Sequence, residues 1–453
     1  MSRCRFKATL LGLYVVGTLL SVVTENASAI PLFARQTGTQ CSGCHTVFPE
    51  LNSFGRAFKL KGYTLTESEL SSFGDDDENG SAEKRPVPVA GMLVLSASKT
   101  KNKDATGTVD LNKDGDVVVQ QASLFTGGRI TKNLGAFVQA TYDGVEHHTA
   151  LDITDIRYAM RQRLSDKDLT WGVTLNNDPS AQDVWNSTPT WGYPYTSSSV
   201  APTPAAATQI EGGLAQQVGG LGVYGLWDNW LYGELSLYWQ GKTGLFRPLT
   251  AGTTVSSLTK GVTPYWRLAV QQDWDKHYLA VGLLGMITKL YPEDMDSGPA
   301  DKFRDIGIDA QYQFTSDKHI ISAQADWIDE KQTWEASFPA EATANPDTSL
   351  KSFHLKGSYY YDHLVGGTLG FFATTGSADS GLYAPDPVEG SLAGKPDSRG
   401  MILELNMMPK QWTRLGLQYT AYSKFNGSKD NYDGSGRPAS DNNTWYLYSW
   451  LMF

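Results

Sequence analysis

Leu231-Tyr232-Gly233-Glu234-Leu235-Ser236-Leu237-Tyr238-Trp239-Gln240 is the stretch that decides the fold. Leu231, Gly233, Leu235, Leu237 and Trp239 form one set; Tyr232, Glu234, Ser236, Tyr238 and Gln240 form the other. A period of two belongs to an extended strand whose successive side chains point to opposite faces. The pattern recurs. Leu134, Ala136, Val138 and Ala140 alternate with Gly135, Phe137, Gln139 and Thr141. Ile321, Ala323, Ala325 and Trp327 alternate with Ser322, Gln324 and Asp326, and Leu415, Leu417, Tyr419 and Ala421 with Arg414, Gly416, Gln418 and Thr420. Apolar-out, polar-in strands of about ten residues are the signature of a barrel in lipid around a wet lumen.

The connections agree. Short turns sit near Thr131-Lys132-Asn133, Ser165-Asp166-Lys167, Asp228-Asn229, Asp275-Lys276, Ser316-Asp317, Asp362-His363 and Pro409-Lys410. Between them lie long polar loops, including 99–116, 177–218, 242–262, 332–350, 377–399 and 425–443. Short periplasmic turns alternating with long outer loops predict an all-β, transmembrane antiparallel barrel of about 16 strands over residues 86–453. The even count puts both barrel ends on the periplasmic side. The chain ends in Trp450-Leu451-Met452-Phe453, a terminal aromatic on a last strand. A secreted, soluble all-β protein is the alternative; it calls for turns at more uniform spacing.

The first residues read as an export signal. Arg3, Arg5 and Lys7 precede an apolar run from Ala8 to Val23, and Ala27-Ser28-Ala29 is a small-residue cleavage site. The signal is therefore 1–29. An N-terminal anchor is the other reading, but the run is short for a spanning helix of ~20 residues. Removing the signal moves the net charge from -10 to about -12. So acidic a chain is a poor nucleic-acid binder.

Cys4 leaves with the signal, and the mature chain keeps only Cys41 and Cys44. A disulfide or a thioredoxin-like pair is one reading. Cys41-Ser42-Gly43-Cys44-His45 also has the form C-x-x-C-H, the attachment sequence of c-type haem. Two thiols at this spacing reach the two vinyl groups on one porphyrin edge, and the adjacent histidine supplies an iron ligand. The sequence thus predicts one covalent haem c in a small segment, 30–85. That segment is too poor in apolar residues to build its own core. Pro49 to Gly62 suits a short amphipathic helix with Leu51, Phe54 and Phe58 on one face and Gly62 as its C-terminal cap. Met92 is the first methionine after the motif and is the candidate second axial ligand; His147 and His148 are its rivals, and a plain strand residue is the alternative. A segment leading directly into the first strand has the lumen as its natural place, so residues 30 to about 85 are expected to plug the barrel.

Ile30-Pro31-Leu32-Phe33-Ala34-Arg35-Gln36-Thr37-Gly38, the haem motif, Pro49-Glu50-Leu51-Asn52, and Phe54-Gly55-Arg56 to Phe58-Lys59 resemble the outer-membrane cytochrome–porin fusion family of iron-oxidising bacteria. The specific motifs lie within about 30–63; the barrel half resembles the family in pattern only. The resemblance implies an outer-membrane oxidoreductase of a Gram-negative bacterium. It would oxidise extracellular Fe(II) and pass the electron to a soluble periplasmic cytochrome, an iron:cytochrome c oxidoreductase type of reaction. Cys41, Cys44 and His45 match the family's haem-binding residues. Arg35 falls in its Phe-Ala-Arg stretch, where either a haem propionate contact or a surface role fits. A conduit for another outer donor or acceptor, and a solute porin with a structural haem, are the competing functions.

Weaker signals remain. Asp110-x-Asn112-x-Asp114-Gly115-Asp116 resembles the front of a calcium loop, but Gln121 stands where a bidentate Glu is needed. Asp75-Asp76-Asp77-Glu78 reads as a solvated linker. No Ser/His/Asp arrangement, phosphate loop or zinc spacing appears.

Overall fold

The computed structural model describes residues 32–65, 88–102, 113–187, 192–240, 258–292 and 295–453. The export signal, the Asp75–Glu78 linker and the Asp110 and Asn112 positions lie outside the described residues.

Sixteen antiparallel strands, from β1 (Val89–Thr100) to β16 (Thr444–Met452), close into one barrel. The seam is the β1–β16 pair, in register from Met92 opposite Met452 to Thr100 opposite Thr444. Phe453 extends it: its N–H donates to Gly91 O at 2.9 Å, and the Gly91 N–H returns to Phe453 O at 2.6 Å. The alternation expected from sequence is realised inside out relative to a soluble protein. In β7 (Leu231–Trp239), Tyr232 and Tyr238 are 0 % exposed and Leu235 is 52 % exposed. Leucines thus face outward and polar groups inward, which is the arrangement of a lipid-embedded barrel. Lumen-facing tyrosines lie across glycines of neighbouring strands, as Tyr238 does over Gly220 and Tyr448 over Gly416. A Cβ on either glycine would stand 2.2 Å from the ring, so each of these two glycines makes room for its tyrosine.

Three buried arginines of the wall are each paired with a carboxylate, as their desolvation demands. Arg157 meets Asp155 at 2.7 Å, Arg267 meets Asp309 at 2.7 Å, and Arg414 meets Glu404 at 2.6 Å.

Two chain segments occupy the lumen. Residues 32–65 bond to the wall on many sides: Arg56 donates to Gln313 at 2.8 Å, Tyr224 to Leu60 O at 2.7 Å, and Arg414 to Phe48 O at 2.6 Å. The second segment is the link between β5 (Lys167–Asn176) and β6 (Gly219–Trp227). Sequence reads 177–218 as a polar outer loop. Instead it turns inward and buries Val184, Trp185, Ile210 and Leu214. Gln311 and Gln324 from the wall both donate to Trp185 O at 2.6 Å. The segments meet where Leu51 N–H donates to Asn186 Oδ1 at 3.3 Å and Lys59 donates to Ala181 O at 2.6 Å. An ion current like that of an open porin is therefore not expected from this barrel; planar-bilayer conductance checks it.

The outer link between β3 (Leu134–Asp143) and β4 (His148–Leu164) spans only residues 144–147, shorter than the other outer connections.

Candidate functional site: a thiol–imidazole cavity in the barrel

Three short helices build the site: α1 (Leu32–Thr37), α2 (Cys41–Cys44) and α3 (Ser53–Leu60). α3 starts three residues or more after the expected Pro49, because Asn52 caps it. The Asn52 side chain accepts from Gly55 N–H at 2.9 Å and donates to Gly43 O at 3.0 Å and Ser42 O at 3.3 Å. One residue thus starts α3 and fastens it to α2. The cap was legible in sequence, since Asn is a preferred cap; the link to Ser42 and Gly43 was not. Gly62, at φ 71°, ends the helix as expected, with Tyr63 N–H returning to Phe58 O at 3.1 Å.

α2 and α3 touch so closely that Gly55 has no room for a side chain. A Cβ there would lie 2.1 Å from Cys44 O and 3.0 Å from Leu51 Cδ2.

Cys41, Cys44 and His45 line one cavity together. The cavity is otherwise largely apolar, walled by Leu32, Phe33 and Phe58 from the inner segment and by Phe125, Phe137 and Ile153 from the barrel. The two thiols are not joined to each other. Burial raises the Cys41 thiol above its usual range, and burial with Cys41 alongside pushes Cys44 up to about 11. A thioredoxin-like pair needs the opposite shift. His45 Nδ1 lies 3.1 Å from Pro49 O, a group that only accepts, so Nδ1 carries the hydrogen and Nε2 keeps its lone pair. Burial pushes the imidazole down to about 4, with the Pro49 and Glu50 backbone working against it, so the ring is neutral. A neutral imidazole with a fixed tautomer is what a metal ligand requires.

The other sequence candidates fall differently. Met92 faces the lumen and is buried against Val94, Tyr448 and Trp450, but it is not in the cavity wall. Its register partner Met452 is. Nothing in the local sequence distinguishes the two; the seam pairing does. His147 and His148 stand in the outer β3–β4 region, off the cavity, with His147 Nδ1 3.0 Å from Tyr142 Oη. The Arg35 guanidinium donates to Val89 O and also lies outside the cavity wall. The cation in the wall is Lys59, which burial, with Arg157 nearby, pushes down to about 8 against the pull of Asp155 and Asp183. In the calcium-like loop, Asp114 Oδ1 accepts from Thr100 N–H at 2.6 Å and Gln121 donates to Ser123 Oγ at 3.0 Å, so both serve the sheet.

Glu50 anchors the segment. Its carboxylate is buried and pairs with Lys356 of the wall, with Tyr195 donating at 2.9 Å and Ser322 also donating. Burial raises its pKa, but Lys356 and these donors outweigh it and hold the carboxyl below its usual range.

Fold and site together define a sixteen-stranded transmembrane barrel of the outer-membrane type, with a paired-thiol and imidazole site in its lumen. Among solved structures the chain is similar to an anion-selective porin from Comamonas acidovorans (12 % identity, TM-score 0.45, 81 % of this chain and 98 % of that one). It is also similar to OmpT of Vibrio cholerae (9 %, 0.42, 81 % and 96 %) and to the outer membrane channel DcaP of Acinetobacter baumannii (11 %, 0.41, 81 % and 96 %). No family model and no curated protein matches.

Proposed function

We propose that the chain is an outer-membrane c-type cytochrome of the cytochrome–porin fusion kind. In this reading it takes electrons from extracellular Fe(II) in a Gram-negative bacterium and delivers them to a soluble periplasmic carrier such as a c-type cytochrome. One observation carries it: Cys41, Cys44 and a His45 with Nε2 available converge on the wall of an apolar cavity inside a membrane barrel. The residues fit a haem in their chemistry. Cys41 and Cys44 would hold it by thioethers and His45 through its free ring nitrogen, and Lys59 would offer a counter-charge to its carboxylates. When bound, the group supplies one-electron redox chemistry that no side chain offers. The chain's own part is to seat it away from water, to fix the His45 tautomer through Pro49, and to set the site within a hydrocarbon band of ~25 Å that electrons would otherwise not cross.

The purified protein is expected to show one thioether-linked haem per chain by its pyridine spectrum, reduced rapidly on mixing with Fe(II). Absence of that spectrum, or a haem that Fe(II) leaves oxidised, rejects the reading. Met452→Leu is expected to change the haem spectrum and shift its potential, because a thioether ligand raises it. Met92→Leu, behind the wall, is expected to change both far less. Equal effects, or a larger one from Met92, would move the ligand assignment back to Met92.

A further inference from the structure

Four neighbouring strands, β9 (His277–Leu290), β10 (Asp301–Thr315), β11 (His319–Thr333) and β12 (Asp347–Tyr361), share an outward face whose chemistry changes along its height. Its middle is apolar, with Leu283, Ile306, Ile308 and Leu355 exposed. At the periplasmic ends it turns aromatic. His277 Nδ1 lies 2.7 Å from Tyr312 Oη, and His319 Nδ1 lies 2.9 Å from Tyr359 Oη. At the outer ends it turns basic, with Lys289, Lys302, Arg304, Lys331 and Lys351.

These cations are set against one another. Lys302 stands directly opposite Lys289, and Arg304 directly opposite Lys331. Like charges directly opposite destabilise a strand pair. The acids on this face do not cancel them. Among the described residues, the face of these four strands holds two carboxylates. Asp329 is shared by Lys331 at 3.6 Å and Lys351 at 3.5 Å, and Asp347 accepts from Thr333 at 2.9 Å. Lys289, Lys302 and Arg304 form no ion pair with any described residue.

Strand geometry fixes the height of the row. The run of β10 from Arg304 to Phe314, at ~3.4 Å per residue and a tilt of about 40°, rises about 25 Å. That equals the height of the apolar band of an outer-membrane barrel, ~25 Å. The cations therefore sit where hydrocarbon gives way to the headgroups of the outer leaflet, and the His–Tyr pairs mark the opposite border. An aromatic border is general to membrane barrels. A row of opposed cations calls for an anionic partner from outside the chain.

We propose that this row binds a phosphorylated glycolipid of the outer leaflet. Its phosphates sit between the opposed pairs Lys289–Lys302 and Arg304–Lys331, where the Arg304 guanidinium can grip one of them in a bidentate fork. Its acyl chains run down over Ile287, Ile306 and Ile308, which follow directly below the cations on the same face. Free inorganic phosphate would meet the charges and leave that apolar stripe unused, so the lipid is the source. The site is independent of the cofactor and electron transfer proposed above.

Diphosphoryl lipid A is the probe. The detergent-solubilised full-length protein is expected to bind it saturably, with the complex retained in native mass spectra, and to prefer it to zwitterionic phosphatidylcholine. A cation near anionic headgroups contributes roughly fivefold to affinity. The triple variant Lys289→Gln, Lys302→Gln and Arg304→Gln should therefore weaken binding roughly 100-fold. A second triple variant, Lys395→Gln, Lys410→Gln and Lys429→Gln, removes the same net charge elsewhere and should bind as the parent does. Heat-modifiable gel mobility checks that both barrels fold. Equal binding by the two triple variants, no preference over phosphatidylcholine, or inorganic phosphate binding as tightly as lipid A overturns the site.

Discussion

Lys356→Met is expected to speed hydrogen exchange at the Thr46 and Glu50 amides by roughly 100- to 4,000-fold while leaving the strands protected. Those amides close the turn that carries the motif, Thr46 N–H to Glu50 O at 3.0 Å and Glu50 N–H to Val47 O at 2.7 Å. Among the described residues, Lys356 is the one cation in salt-bridge contact with the buried Glu50 carboxylate. Removing one partner of a buried pair costs about 3–5 kcal/mol, because the other charge stays buried and uncompensated, and 1.4 kcal/mol is a factor of ten. The cost falls on local opening of the inner segment, since the barrel is held by its own ladder. Two further results separate charge from packing. The double variant Glu50→Gln with Lys356→Met should recover much of the loss, and Lys356→Met alone should raise bilayer conductance as the segment loosens. Equal exchange in single and double variants would mean that the pair does not hold the segment in place.

Gly55→Ala is expected to cut covalently bound haem per chain at least tenfold with the barrel intact. The new methyl would stand 2.1 Å from Cys44 O, which is backbone and not a flexible side-chain tip. α3 would have to move away from α2, breaking the Asn52 bonds to Ser42 and Gly43 and displacing both thiols and His45. Overpacking of this kind costs about 1–3 kcal/mol in a core, and the cost here falls on the site itself. Ala57→Ser, on the same helix, is the control and should retain haem. Haem content is read by pyridine spectrum against protein mass, folding by heat-modifiable mobility. Full haem loading in Gly55→Ala would show that the α2–α3 contact is not needed for attachment.

Much of the molecule was readable along the chain, and its particulars show why. The strand of Leu231–Trp239 declared itself because a half-lipid, half-lumen surface imposes a period of two on its own residues. The limits of the loops at 177–218 and 425–443 were read correctly from composition. The turn read at Pro409-Lys410 lies slightly later, at residues 411–412, because β14 (Ser398–Lys410) runs through the proline. The direction of the 177–218 loop was not legible. Trp185 and Ile210 look like isolated apolar residues in a polar loop until a barrel interior is there to receive them.

By itself, the sequence determined the barrel, its strand number and the Cys41-Cys44-His45 motif, since each rests on spacing among neighbours. Only the tertiary structure decided which residues meet. Met452 displaces Met92 at the wall through the seam that joins the first strand to the last. Glu50 finds Lys356, and Glu211 finds His354, across more than a hundred residues of chain. Such meetings depend on barrel closure and on the register of strands far apart in the chain, and no local pattern encodes them.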